Sequence, residues 1–119
     1  MVGAMVEFVA PVFAGLVAAV ACLPGPVGGD RAVAYHLHWH AAHDNRTPSS
    51  HIVYDVYRAT SPRGESFAKP TYTTRPGVTT FTTPPLSSTV TYYFVVRARD
   101  AAGRHDANRV ERQGVNLCL

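Results

Sequence analysis

The stretch that most constrains the fold is residues 91–100, which read TYYFVVRARD. Aromatic and β-branched residues dominate its first half, a composition that suits a pleated, half-buried strand. Side chains alternate between the two faces of a strand, so one face carries Tyr92, Phe94, Val96 and Ala98. The other face carries Tyr93, Val95, Arg97 and Arg99. The first set predicts a surface that faces a core, and the second predicts a surface that reaches water.

Six further stretches predict strands, at 11–20, 33–40, 52–59, 67–74, 79–82 and 108–115. Turn chemistry rich in Gly, Pro, Asn and Asp separates them. The core-facing positions of 33–40 and 52–59 are Val33, Tyr35, Leu37, Trp39, Ile52, Tyr54 and Val56. The stretch 67–74 is the weakest, because Pro70 restricts it to the edge of a sheet. No helix is predicted, so a chain of 119 residues is expected to form one all-β domain.

Composition argues against several functional classes. The formal charge of +3 comes from 11 basic and 8 acidic residues spread along the chain, which gives little support to nucleic-acid binding. No Gly-x-Ser-x-Gly elbow marks a nucleophile, and no glycine-rich phosphate loop opens a helix. The sequence therefore predicts neither an enzyme nor a bound cofactor.

The N-terminal region has two interpretations. Residues 8–23 carry no charge, and the run Ala19 to Cys22 is similar to a lipoprotein cleavage box, so residues 1–23 are either a strand or an export signal. Glu7 and the lack of Lys or Arg before it argue against a signal peptide. The apolar run is also shorter than the roughly 20 residues that a membrane helix needs, so no membrane insertion is predicted.

Several residues at characteristic spacings resemble the fibronectin type III family. They are Trp39, Tyr54, Leu86, Tyr92, Val96, Ala98 and Gly103. The resemblance implies a seven-stranded antiparallel Greek-key β-sandwich of the immunoglobulin-like kind, in which strands A, B and E face C, C′, F and G. It covers roughly residues 11–115. The predicted domain is 11–119, and it leaves 1–10 as an N-terminal extension or leader remnant. Val90 departs from the family, which usually has threonine at that position.

The resemblance also assigns structural roles. Trp39, Tyr54, Leu86, Tyr92, Val96 and Gly103 are expected to build the core and its turns. Tyr92 corresponds to the tyrosine corner of β-sandwiches, so its hydroxyl is expected to bond the backbone near Leu86. In such a sandwich the first and last strands run toward the same pole, and Cys22 and Cys118 follow those strands. The two cysteines either form a disulfide or stay as free thiols. A disulfide is predicted, and it would imply an oxidising compartment.

The function implied by the resemblance is a non-catalytic extracellular spacer, adhesion or interaction module of a bacterial secreted or cell-surface protein. Its expected partners are neighbouring domains, another protein or a polysaccharide. Two alternatives stay open. One is a carbohydrate-binding accessory module of a polysaccharide-degrading enzyme, in which Tyr57 and Tyr93 stack on sugar rings. The other is a metal-binding module rich in histidine.

Two sets of side chains are candidate sites. The outer face of strands C and F is predicted to form an exposed partner-binding patch of Val53, Tyr57, Tyr93, Val95, Arg97 and Arg99. The second set is His36, His38 and His40, which alternate along one face of strand B. Two imidazoles at this spacing can approach one metal ion, but no carboxylate is positioned to orient them. No specific metal site is predicted there, and the three histidines are only weak candidates.

Overall fold

The fold is all-β. The structure, a computed structural model, describes residues 8–9, 12–13, 17–22, 31–44 and 46–115. In chain order the strands are β1 (Phe8–Val9), β2 (Val12–Phe13), β3 (Val17–Cys22), β4 (Ala32–His40), β5 (His43–Asp44), β6 (Val53–Ala59), β7 (Tyr72–Thr73), β8 (Thr80–Thr82), β9 (Leu86–Ser87), β10 (Tyr93–Arg99) and β11 (Glu111–Val115). The described residues contain one short 3-10 helix, at Ser49–His51.

Two antiparallel sheets of three and four strands form a sandwich. In the first sheet β4 lies between β3 and β8, and its His36 pairs with Ala18 on one side and Thr82 on the other. In the second sheet the order is β7-β6-β10-β11. The sheets meet where β11 pairs in parallel with β3, through Gly114 with Val17 and Val115 with Ala18. We call this pairing the parallel seam.

The core lies between the two sheets and contains the inward positions that the sequence predicts. Its buried residues are Val33, Tyr35, Leu37, Trp39, Ala42, Ile52, Tyr54, Val56, Tyr92, Phe94, Val96 and Ala98. Aromatic rings occupy its centre, with the centroids of Trp39 and Tyr54 5.3 Å apart. The predicted phases of β4, β6 and β10 are therefore confirmed.

The predicted tyrosine hydrogen bond is also confirmed. The backbone N–H of Ser87 donates to the Tyr92 hydroxyl at 3.1 Å, which ties the segment before β10 to the strand. At the other end of β10, Gly103 has a φ of 84°, and its N–H donates to the Asp100 carbonyl at 3.0 Å. Glycine adopts this left-handed conformation without steric cost, so the turn predicted here ends the strand.

Several segments differ in extent from the predictions. The described parts of the strand expected at 11–20 are Val12–Phe13 and Val17–Cys22. The strand expected at 67–74 is reduced to Tyr72–Thr73. The strand expected at 108–115 begins only at Glu111. Phe8 and Val9, in the predicted 1–10 extension, pair with Asp44 and His43. The predicted disulfide falls outside the described residues and stays a prediction. Cys118 is not among them, and only the backbone of Cys22 is described.

Candidate functional site

The six residues of the predicted partner patch do lie together on the outer face of β6 and β10. Antiparallel pairing places Val95 opposite Tyr57 and Arg99 opposite Val53. The same register places Tyr93 and Arg97 on this face of β10. Their proximity follows from the alternation of side chains in two paired strands.

The expected exposure of this patch is wrong for two of the six. Tyr57 is 3% exposed and Val95 is 1% exposed, so neither side chain offers a surface to a partner. The segment after β6 returns over the sheet and places Phe67 against Tyr57, with ring centroids 4.9 Å apart. Val53, Tyr93, Arg97 and Arg99 remain half-buried at the margins of this cover. Tyr57 is therefore not a platform on which a sugar can stack.

Arginine side chains complete the cover. The guanidinium carbon of Arg97 lies 3.6 Å from the centroid of the Phe67 ring, and that of Arg109 lies 5.1 Å from it. The Arg97 Nε also donates to the Asn108 carbonyl at 2.9 Å, which fixes the side chain along the sheet. Cation–π contacts of this kind stabilise an aromatic ring at a protein surface.

Beside this ring lies a cleft of about 470 Å³, lined by Arg63, Glu65, Phe67, Arg109 and Glu111. We call it the Phe67 cleft. Arg63, with a φ of 57°, turns the chain so that its N–H donates to Glu111 Oε2 at 2.7 Å. The loop after β6 and the start of β11 thereby meet. The sequence predicts no binding role for Arg63 or Glu65, and the available signal was Phe67, the one aromatic residue within residues 60–70.

The electrostatics of the cleft are unusual at Glu65. Burial, and then the neighbouring Glu111 carboxyl, raise the pKa of Glu65 to about 7. Its Oε2 atom is buried and makes no hydrogen bond within the part of the chain that the structure describes. The Glu111 carboxyl is also a hydrogen-bond partner of the Glu65 side chain, which favours the protonated form of Glu65.

A second cluster on the same face is centred on Asp55, which has no exposed surface. Arg99 Nε donates to its carboxylate at 2.9 Å, and Thr73 Oγ1 donates at 2.7 Å. His105 Nε2 lies 2.8 Å from Asp55 Oδ2. Burial alone would raise the pKa of Asp55, but the hydrogen bonds from Arg99, Thr73 and His105 outweigh it and hold the pKa below its usual value. The cluster joins β6, β7, β10 and the turn after β10.

The histidine row lies on the opposite sheet. His36 and His38 are half-buried and His40 is exposed. The rings of His36 and His38 are stacked with centroids 6.2 Å apart, and His36 Nδ1 lies 3.0 Å from Thr82 Oγ1. Within residues 31–44 and 46–115, no group of three His, Cys, Asp or Glu side chains is arranged to hold a metal ion.

The comparisons with known proteins give no identity. No family model, curated protein or solved structure matches this chain. Among the described residues, no helix is both long enough and apolar enough to cross a membrane. Function is therefore inferred from the arrangement of side chains described above.

Proposed function

We propose that this chain is a non-catalytic extracellular module with the fibronectin type III fold, which serves as a spacer and interaction domain of a bacterial secreted or cell-surface protein. The observation that carries the proposal is the hydrogen bond from Ser87 N–H to the Tyr92 hydroxyl in a sandwich of three and four strands. A tyrosine that bonds back to the preceding chain is typical of such sandwiches. Trp39 in the core supports the same assignment.

The Phe67 cleft is the surface that we assign to binding. It combines an aromatic ring, two guanidinium groups and two carboxyl groups in about 470 Å³. Ligand sites are typically concave, with an apolar part and a few converging polar groups. The partly exposed Tyr93, Arg97 and Arg99 extend the surface around it.

The carbohydrate-binding alternative is the second candidate, and the composition of this cleft favours it. Sugars present C–H groups to aromatic rings and hydroxyl groups to charged side chains. Phe67 would then take the role that Tyr57, buried beneath it, cannot take. The histidine-rich metal module lacks a comparable observation.

The test is a binding screen in which the labelled protein is applied to an array of polysaccharides and purified cell-surface proteins. A double variant, Arg63→Ala with Arg109→Ala, should lose any ligand that the wild type retains. The matched control is Arg112→Ala, an exposed arginine on β11 that does not line the cleft. Circular dichroism should show that both variants keep the fold.

Two results would contradict the proposal. One is binding that survives the cleft variant but is lost in Arg104→Ala, which alters the turn at the end of β10. The other is turnover of chromogenic ester or glycoside substrates that copurifies with the protein, because the proposed module is not catalytic.

A further inference from the structure

Two arginine residues of the Phe67 cleft form no ion pair within the described part of the chain. The ion pairs among the described residues involve only Arg99, Arg104 and His105, and so leave Arg63 and Arg109 without a carboxylate partner there. Both arginine residues line the cleft. Arginine recognises planar anions such as carboxylates through paired hydrogen bonds, so two such groups favour a carboxylate ligand.

The other residues of the cleft restrict the chemical class of the ligand further. The carboxyl groups of Glu65 and Glu111 belong to residues that line the cleft, and carboxyl oxygens accept hydrogen bonds from the hydroxyl groups of a ligand. Phe67 supplies an apolar surface in the same cleft. A sugar ring that carries a carboxylate provides all three features, namely an anion, hydroxyl donors and a face of C–H groups.

We propose that the Phe67 cleft binds a carboxylate-bearing sugar unit of an acidic polysaccharide. This inference rests on the binding function proposed above, and it specifies the ligand and the site. A neutral sugar would leave Arg63 and Arg109 unpaired, whereas a simple anion would leave Phe67 without contact. A site built for both groups discriminates against ligands that lack either one.

The charge of the cleft should make this binding depend on pH. The charged groups around Glu65 are Arg63 in its own loop, Glu111 and Arg109 from the region of β11, and Arg97 from β10 behind the ring. Below a pH of about 7 the Glu65 carboxyl is mostly neutral. The arginines then attract the carboxylate of the ligand, and Glu111 is the one carboxylate of the cleft that repels it. Above that pH the Glu65 carboxylate repels the carboxylate of the sugar.

The experiment is calorimetric titration of the whole chain with short oligogalacturonate, whose carboxylates are ionised at both pH values tested. Titrations at about pH 5.5 and about pH 8.5 bracket the Glu65 pKa of about 7. Neutral galacto-oligosaccharide of the same length is the ligand control. We expect the acidic ligand to bind at least about tenfold more tightly than the neutral one, and more tightly at the lower pH.

Three variants locate the site. Arg109→Gln should weaken binding at least about tenfold, whereas Arg112→Gln, three residues further along the chain and outside the cleft, should leave it unchanged. Glu65→Gln, which keeps the neutral shape, should bind at both pH values and lose most of the pH dependence. Thermal unfolding of each variant separates a change in affinity from a loss of fold.

Several results would overturn the inference. Equal binding of the neutral oligosaccharide, or equal binding of single-stranded DNA of matched charge, would show that the cleft does not select an acidic sugar. Equal losses in Arg109→Gln and Arg112→Gln would show a diffuse effect of charge. If oligogalacturonate does not bind but another array ligand depends on Arg63 and Arg109, this inference fails and the binding function stands. Only a failure of the array screen itself contradicts both.

Discussion

At the scale of single residues, Tyr92 holds two parts of the chain together with one hydroxyl group. Its ring lies in the core at 7% exposure, while its oxygen accepts a hydrogen bond from Ser87 N–H at 3.1 Å. The neighbouring Tyr93 lies on the outer face and is half-buried. The same chemical change at the two positions therefore has different consequences.

We predict that Tyr92→Phe lowers the free energy of unfolding by about 1 kcal/mol, because the Ser87 N–H loses its acceptor. Tyr93→Phe is the matched control and should change stability by less than about 0.5 kcal/mol. Urea denaturation followed by circular dichroism measures both. Equal losses at the two positions would mean that the hydroxyl of Tyr92 contributes nothing specific.

Asp55 is the residue whose ionisation most directly supports the fold. Its carboxylate is buried, and its partner Arg99 has a side chain that is 34% exposed. Because the pKa of Asp55 is lowered on folding, its stabilising contribution is present above the unfolded pKa of about 3.9. It is lost as the pH falls through the lower pKa of the folded state.

We therefore predict that Asp55→Asn destabilises the protein by about 2–3 kcal/mol at neutral pH, since Arg99 and His105 lose a charged partner. The loss should begin to shrink below the unfolded pKa of about 3.9 and should vanish once the pH has fallen through the lower folded pKa, where the wild-type carboxyl is neutral as well. Chemical denaturation across this range provides the comparison. A difference that stays constant with pH would exclude an electrostatic role for Asp55.

At the scale of elements, the loop after β6 acts as a cover for the four-stranded sheet. Phe67 packs on Tyr57, and the guanidinium carbon of Arg97 lies 3.6 Å from the Phe67 centroid. The loop covers Tyr57, which is buried, although the loop has no regular structure of its own.

We predict that Phe67→Ala uncovers this face and lowers the free energy of unfolding by about 1–2 kcal/mol, from lost apolar burial and lost cation–π contact. The variant should also bind a hydrophobic dye while still folded. Val78→Ala, at a residue 37% exposed, is the control and should do neither. A Phe67→Ala protein that matches the wild type in both assays would show that the loop does not cover the sheet in solution.

The side chain of Glu65 connects this loop to β11 through the carboxyl group of Glu111, and this contact depends on whether Glu65 is protonated. The pKa of Glu65 is raised from 4.5 to about 7 on folding, so the folded state holds the proton more tightly than the unfolded state. Its contribution to stability is full below the unfolded value and is lost as the pH rises through 7. We predict that the free energy of unfolding declines over this window in the wild type and declines less in Glu65→Gln, as measured by urea denaturation. Parallel pH profiles would contradict the raised pKa of Glu65.

The predictions from sequence succeeded where one local pattern determines the outcome. The inward phase of β10 follows from alternation alone, since Tyr92, Phe94 and Val96 are large and apolar. The burial of Tyr57 was not predicted, because its cover comes from Phe67 in a loop whose path no local pattern encodes. The cluster around Asp55 joins four segments, so its partners were also missed. Asp55 within an apolar strand was the available signal, because a buried carboxylate requires partners.

At the scale of the whole molecule, the parallel seam joins the first and last strands of the sandwich. Since β3 and β11 run in the same direction, their C-terminal ends point toward the same pole. This is the arrangement on which the predicted disulfide between Cys22 and Cys118 depends. Closing a loop of roughly 100 residues would add about 4–5 kcal/mol of stability in the chain-entropy model.

We predict that thiol counting in denaturant without reductant finds no free thiol in the oxidised protein. A reducing agent should then release two thiols and lower the midpoint of thermal unfolding. The double variant Cys22→Ser, Cys118→Ser should reproduce the reduced midpoint and become insensitive to the reducing agent. Two free thiols in the untreated protein would show that the pairing is wrong.

The parallel seam also has a mechanical consequence. Tension that pulls β3 by its first residue and β11 by its last drags the two strands in opposite directions along their axes. The hydrogen bonds between the strands are then loaded in shear. Such a load strains all the bonds of the seam at once, whereas a hairpin pulled apart from its open end breaks them one after another. A spacer in which the seam is the stretched contact keeps its length under rising force, until the seam fails as a single unit.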